Sequence, residues 1–316
     1  MNVLMIANLR AGTGDPGLYD FVRELGAHHV DVTMRFMHEH ADLDYLLRDV
    51  ESYARVVAVG GDGTVSSVAY ALRDSGIPIL AYPAGTANLL ARNLRLPFDP
   101  TDLAVALIAG RTVSIDLGEL TLPGVGARRE SVAGFAIAAG AGFDASIMDA
   151  AAALKPTLGE GAYLLGALQH LNPRVSRFTL ELDDRTIETD GIAVMVMNLA
   201  RIQFDIAVTH GADAQDGLFE VVVLTASTAA GLLPTIWAAL VDRLQKHPER
   251  PGLEVHTASR VRIVADPPLP VEYDGEAVTG ITTPMTARVL PRAGTFIVAD
   301  EHPFPCDQYG NETACP

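Results

Sequence analysis

A short apolar strand, Arg55-Val56-Val57-Ala58-Val59, runs directly into Gly60-Gly61-Asp62-Gly63-Thr64, and behind it Val65, Val68, Ala69 and Leu72 recur at helical spacing. A strand that turns through glycines into a helix limits the fold to one in which strands and helices alternate, and it makes a turn suited to phosphate. Glycines reach conformations closed to other residues and let a polyanion approach the main chain. The amides that open the following helix point toward negative charge. Asp62 cannot itself attract phosphate, but a carboxylate beside phosphates makes sense through Mg²⁺, which bridges carboxylate, water and phosphate oxygens. Asp-Gly is also a common hairpin turn; here the pattern that follows is helical and not alternating.

A second unit of the same design comes one helix and one strand later: Ile77-Pro78-Ile79-Leu80-Ala81-Tyr82, then Pro83-Ala84-Gly85-Thr86-Ala87-Asn88, then Leu89-Leu90-Ala91-Arg92-Asn93-Leu94. In an open parallel sheet, ligands bind outside the carboxyl ends of the strands, so consecutive strand-to-helix turns converge on one crevice. Thr86 and Asn88 offer side-chain hydrogen bonds, and Arg92, four residues past Asn88, falls on the same helix face as a phosphate clamp. A solvated surface arginine is the competing reading of Arg92.

Gly60 to Thr64, followed about twenty residues later by Pro83 to Asn88 and Arg92, resembles the diacylglycerol kinase catalytic-domain family of bacterial lipid, sphingosine and ceramide kinases. NAD kinases and phosphofructokinases share the Gly-Gly-Asp-Gly element. Gly140-Ala141-Gly142-Phe143-Asp144, Asp216-Gly217-Leu218-Phe219-Glu220 and Asp274-Gly275-Glu276 extend the resemblance in family order over nearly the whole chain. It implies an α/β plus β fold: a phosphofructokinase-like nucleotide domain over residues 1–118 and 295–316, and a mainly antiparallel β-sandwich over 119–294 that carries the acceptor. Thr295 to Ala299 would be the return of the chain's end to the first domain.

The resemblance also implies roles. Asn8, Gly12, Gly60, Gly61, Asp62, Gly63, Thr64, Thr86 and Arg92 would surround ATP, Asn88 would complete the phosphate turn, and Asp62 would order the catalytic Mg²⁺. Asp274 is the expected general base, with Glu276 supporting metal or nucleotide; Asp62 is the competing base. Asp274-Gly275 also reads as a plain β-turn. Asp216, with the carbonyls of Asp213 and Leu218, would hold a structural Mg²⁺, a hard-oxygen set that suits this ion; a simple hairpin turn is the alternative. Two departures stand out. Asn8-Leu9-Arg10-Ala11-Gly12-Thr13 lacks the family's basic residue just after the glycine, and Ala87 replaces an expected glycine.

At 316 residues the chain can bury two ordinary cores. Its 49% hydrophobic and 20% charged residues describe a folded globular protein. Twenty-three basic against 39 acidic residues, a formal charge of −16, argue against nucleic acid as partner. They also leave any membrane contact local, apolar or carried by a few basic side chains. No apolar run reaches the roughly 18 to 20 residues of a membrane span. The start, Met1 to Asn8, reads as a buried strand and not a signal peptide. The expected location is cytoplasmic, peripheral at the inner membrane face when acting on lipid. The expected partners are a lipid substrate and a second copy of the chain in a homodimer. Cys306 and Cys315 lie away from every motif.

The first third reads as strand 3 to 8, helix 17 to 26, strand 29 to 36, helix 41 to 51 and strand 55 to 59, a parallel sheet covered by helices. After helix 102 to 109 the pattern turns to strands: 112–117, 131–138, 177–182, 186–198, 218–224 and 260–265. Two apolar helical insertions, 162–171 and 226–245, suit either core or a path for acyl chains. Trp237 with Arg243, Lys246 and Arg250 suits a membrane interface. Gly12-Thr13-Gly14-Asp15-Pro16-Gly17 also matches a dinucleotide fingerprint, but Asp31 lies too early for the ribose-binding acid. An NAD kinase would lack its usual Asn-Glu pair here, no P-loop is present, and a catalytically silent nucleotide- or lipid-binding regulator is the alternative of a different class.

Overall fold

The protein is described here by a computed structural model over residues 1–8, 16–38, 42–124, 130–142, 174–199, 201–202, 206–207, 213–225 and 252–299. It divides into two compact units, Met1–Leu117 with Leu290–Pro316, and Gly118–Val289.

The first unit alternates as expected: β1 (Asn2–Asn8), α1 (Pro16–Ala27), β2 (Asp31–Met37), α2 (Leu43–Leu47), β3 (Arg55–Gly60), α3 (Asp62–Ala71), β4 (Ile79–Pro83), α4 (Leu89–Asn93) and α5 (Pro100–Ala109). β1 lies parallel between β2 and β3, and β3 pairs in parallel with β4. Val3 to Ile6 and Val56 to Ala58 are fully buried, as strands covered on both faces require. Phe21 and Leu25 of α1 are fully buried, and the Phe21 ring lies 5.1 Å from that of Tyr82 on β4.

The helix expected over 41 to 51 is shorter, and the physical cause is Arg35. Its guanidinium reaches from β2 to the Leu46 carbonyl and forms two bonds, of 2.6 and 2.8 Å, with the Asp49 carboxylate. The last turn of α2 gives way there to a 3₁₀ turn over Val50–Ser52.

β5 (Arg111–Leu122) carries the chain into the second unit, which continues with β6 (Ser131–Phe135), β7 (Ala138–Ala141), β8 (Ser176–Leu182), β9 (Arg185–Gly191), β10 (Ala193–Met197), β11 (Arg201–Ile202), β12 (Ile206–Ala207), β13 (Phe219–Leu224), β14 (Leu253–Ala258), β15 (Arg260–Asp266), β16 (Pro270–Tyr273) and β17 (Glu276–Thr282). β18 (Met285–Val298) then leads back, pairing with β15 antiparallel at its start and with β4 in parallel at Phe296. The expected return of the chain's end is this pairing.

Within the second unit one layer contains β5 with β6 and β8 with β9 and β15, and the other runs β14-β13-β10-β7-β16-β17. Between the layers lies one core that includes Phe135, Phe178, Phe219, Val194, Val196, Ile263 and Val271. This is the antiparallel β-sandwich.

Two strands expected to be continuous are each broken where the chain passes from one layer to the other. Residues 131–138 divide into β6 and β7, and 186–198 into β9 and β10. At the second crossing, a Cβ on Gly191 would stand 2.5 Å from the Leu224 carbonyl oxygen, so only glycine permits the passage. The two expected helical insertions lie outside the described residues.

Candidate active site

Both glycine turns sit at carboxyl ends of parallel strands, and their geometry locks them together. α3 starts at Asp62, and the Gly61 carbonyl accepts from the amides of Thr64 and Val65 at 3.0 and 3.1 Å. Gly60 is required by Thr64, since a Cβ at Gly60 would meet the Thr64 side chain at 2.6 Å. From β1, Asn8 Nδ2 donates to Thr64 Oγ1 at 3.0 Å.

In the second turn Asn88 adopts a left-handed backbone, φ 50°. This aims its side chain back at its own turn. Asn88 Oδ1 accepts from the Gly85 amide at 2.8 Å, and Nδ2 donates to the Gly85 carbonyl at 2.9 Å. Asn88 thus closes the turn and is buried, while Thr86 is exposed. The turns touch each other: a Cβ on Gly85 would come within 2.6 Å of Gly61 Cα. Asp62 Oδ1 completes the link by accepting from the Leu90 amide at 2.9 Å.

Burial pushes the Asp62 carboxyl above its usual range, opposed by main-chain donors at Leu90, Leu89 and Asp62 itself and by the charge of Arg92. A half-buried carboxylate whose charge is disfavoured fits a divalent cation, which restores the ionised form. Among the described residues no group of three His, Cys, Asp or Glu gathers around it. One carboxylate with water and phosphate oxygens is the donor set that Mg²⁺ commonly takes. Gly12, with Arg10 and Thr13, lies outside the described residues.

Asp274 and Gly275 form the turn between β16 and β17, with φ of 47° and 82°. Two successive positive φ values make the tight hairpin whose twist matches its strands. The Asp274 carboxylate is buried and accepts three main-chain N–H bonds from the β6–β7 corner: Ala136 to Oδ2 at 3.0 Å, Ile137 and Ala138 to Oδ1 at 2.9 and 3.1 Å. On the other side of that corner, Asn198 Nδ2 donates to the Ala136 carbonyl at 2.8 Å, and the Asn198 amide to that of Ile137 at 2.9 Å. These bonds divert the corner's polar groups from the ladder, which is why the strand over 131–138 breaks. Glu276 pairs with Tyr273 across the hairpin and is exposed.

Glu272 escaped the sequence reading. Val271 and Tyr273 face the sandwich core, so alternation turns Glu272 to the opposite face of the layer. There it is level with Gly140, which is level in turn with Met195. Burial pushes its carboxyl up to about 7, and no hydrogen-bond or ion-pair partner reaches it among the described residues. Its signal in the sequence is a lone acid within the apolar alternation Val271-Glu272-Tyr273.

Asp213, Asp216 and Leu218 share one turn before β13. The Asp213 carbonyl accepts from the Asp216 amide at 3.3 Å, and Asp216 Oδ1 from the Leu218 amide at 2.8 Å. The turn is therefore closed by its own bonds, and both carboxylates are exposed oxygen donors.

Two glycine turns on a parallel sheet, joined in one chain to a β-sandwich, define a two-unit α/β plus β fold. Residues 2–120 match the diacylglycerol kinase catalytic domain, and residues 137–298 match the YegS C-terminal NAD kinase beta sandwich-like domain. A protein of Pseudomonas fluorescens named "Probable lipid kinase YegS-like" is 30% identical over 82% of this chain and 83% of its own length. A Synechocystis protein is 28% identical over 78% of this chain, which spans 55% of that relative. The fold is shared with the crystal structure of a diacylglycerol kinase from Bacillus anthracis, at a TM-score of 0.68 and 20% identity over 95% of this chain and 97% of that one. The chain belongs to the diacylglycerol kinase catalytic-domain family, in the arrangement that adds the YegS-type sandwich. It is a phosphotransferase with an alcohol group as acceptor.

Proposed function

We propose that the protein is an ATP- and Mg²⁺-dependent lipid kinase that transfers the γ-phosphate to a lipid hydroxyl, with diacylglycerol or a related glycerolipid as acceptor. The observation that carries this reading is the fused pair of glycine turns, joined by the Gly61–Gly85 approach and the Asp62–Leu90 bond. Such a surface presents main-chain amides and the Arg92 guanidinium to a polyphosphate.

In the proposed reaction the acceptor oxygen bonds to the γ-phosphorus while the bond to the bridging oxygen of ADP breaks. Asp274 takes the hydroxyl proton as that bond forms, because a carboxylate near pKa about 4 does not deprotonate an alcohol beforehand. Asp62 holds Mg²⁺ and is the competing base; the ion supplies neutralisation of phosphate charge. Asn8 and Thr64 steady the first turn, and Asn88 the second. Asp216, with the carbonyls of Asp213 and Leu218, would hold a second, structural Mg²⁺, and Glu276 would support metal or nucleotide. Among the described residues no helix is long and apolar enough to cross a membrane. The same reading makes the enzyme cytoplasmic, acting at the inner membrane face and feeding phospholipid biosynthesis.

The test is ATP consumption with Mg²⁺ against detergent-dispersed diacylglycerol, monoacylglycerol, phosphatidylglycerol, sphingosine and ceramide, with NAD as control. Phosphorylation of one lipid, lost in Asp274→Asn, is the expected result. Transfer to NAD alone would replace the lipid assignment with a NAD kinase, and silence across the panel would favour an acceptor outside it, such as another non-lipid alcohol, or the noncatalytic regulator.

A further inference from the structure

An exposed arginine samples many rotamers, and restricting it before a ligand arrives raises affinity without adding a contact to that ligand. Arg92 is exposed, yet its guanidinium is held at two points. Nε donates to the Ala87 carbonyl at 3.0 Å. Cζ lies 4.9 Å from the centroid of the Phe98 ring. The first contact ties one edge of the guanidinium and the second places its centre over the Phe98 ring. Neither Nη atom forms a hydrogen bond or ion pair among the described residues, so the fork that suits a phosphate is left for a ligand, beside the charge of Asp62.

Phe98 can act as a platform because the connection that carries it is pinned at both ends. α4 ends with Arg95 in the left-handed region, φ 53°. The Leu96 amide then bonds to the Ala91 carbonyl at 2.9 Å and the Arg95 amide to that of Arg92 at 3.0 Å, the paired bonds of a Schellman cap. On the far side, Asp99 caps α5 by accepting from the amides of Thr101 and Asp102 at 2.9 and 3.2 Å. Phe98 stands between these caps, 46% exposed, where burial of its own ring gives little reason for an aromatic.

We propose that Phe98 is a positioning residue for phosphate binding, its ring holding Arg92 so that both Nη groups face the nucleotide. The inference rests on the reading above that Arg92 contacts the phosphates of ATP. It assigns to Phe98 no contact with any substrate.

The experiment measures ATP·Mg²⁺ affinity by calorimetry, and the Michaelis constants for ATP and for the lipid acceptor, in the full-length protein. It compares wild type, Phe98→Ala, Phe98→Tyr, Arg92→Ala and the double variant Phe98→Ala/Arg92→Ala. Losing a cation–π contact at a partly exposed site corresponds to about two- to fivefold. Phe98→Ala is expected to weaken ATP by that factor, with the acceptor constant and melting temperature unchanged. Phe98→Tyr restores wild-type affinity. Arg92→Ala weakens ATP by roughly tenfold or more, and Phe98→Ala then adds nothing to it. Wild-type affinity in Phe98→Ala, or the same additional loss in the Arg92→Ala background, would overturn the positioning role while leaving the kinase reading intact. Full ATP affinity in Arg92→Ala would overturn the phosphate role of Arg92 and the positioning role with it.

Discussion

The same dipeptide, Asp-Gly, occurs at Asp62-Gly63 and at Asp274-Gly275, and the two have opposite backbones and opposite settings. Asp62 opens α3. Asp274 turns a hairpin at positive φ. Each carboxylate nevertheless has a long-range task, accepting main-chain N–H from a segment far away in sequence: Leu90 for Asp62, and Ala136 to Ala138 for Asp274. The difference is in how fully that task occupies the group. Asp62 stays half-buried with its charge disfavoured by burial, whereas Asp274 is buried and grasped by three amides. A motif aspartate can therefore be a rivet and a reagent at once, and only stability and turnover measured together separate the roles.

The largest effect should come from Asp274→Ala, which leaves three main-chain amides, two of them buried, without their acceptor. At about 1 to 3 kcal/mol per unsatisfied group, urea unfolding should show a loss of roughly 3 to 9 kcal/mol. An unchanged midpoint would break the comparison by showing that Asp274 is no rivet.

Asp274→Asn retains shape but offers one acceptor oxygen in place of two. Turnover should vanish while ATP binding persists and stability falls by about 1 to 3 kcal/mol. Preserved turnover would move the base role to Asp62 or to none.

Glu272→Gln tests the acid two residues before Asp274. Its carboxyl lies at about 7 in the folded protein against an ordinary 4.5. The folded state therefore binds more protons than the unfolded one between those values, and stability falls as pH rises through that window. The amide has no charge to desolvate. Glu272→Gln should thus be more stable than wild type by up to about 3 kcal/mol at pH 8, and by progressively less toward pH 5. Parallel stability curves would show that Glu272 finds solvent or a partner.

Gly85→Ala should have a smaller effect, confined to the first unit. The added methyl must push the turns apart at Gly61, at a cost of roughly 1 to 3 kcal/mol, and ATP affinity should fall with it. A neutral result would mean that the two turns are not held in register by that contact.

Much of this was legible in the sequence because the signals are local. Strand-glycine-helix order placed both turns, and the alternation of strands and helices placed the parallel sheet of the first unit. What could not be read depends on distant partners. The β6–β7 break arises from amides captured by Asp274, some 137 residues away. The β9–β10 break reflects the Leu224 carbonyl crowding Gly191. The shortened α2 answers to Arg35 on another strand. β16 and β17 were missed because only the short run Val271 to Tyr273 announces them. Phe98 matters through a ring contact that no periodicity encodes.

The contact between Gly61 and Gly85 has a thermodynamic consequence. Two loops that moved independently would each lose freedom when a nucleotide arrived. Loops already in van der Waals contact, and tied by Asp62 to Leu90, have lost it when the chain folds. Ordering entropy is thereby shifted from the binding step to the folding step, and nucleotide affinity becomes coupled to the stability of the first unit.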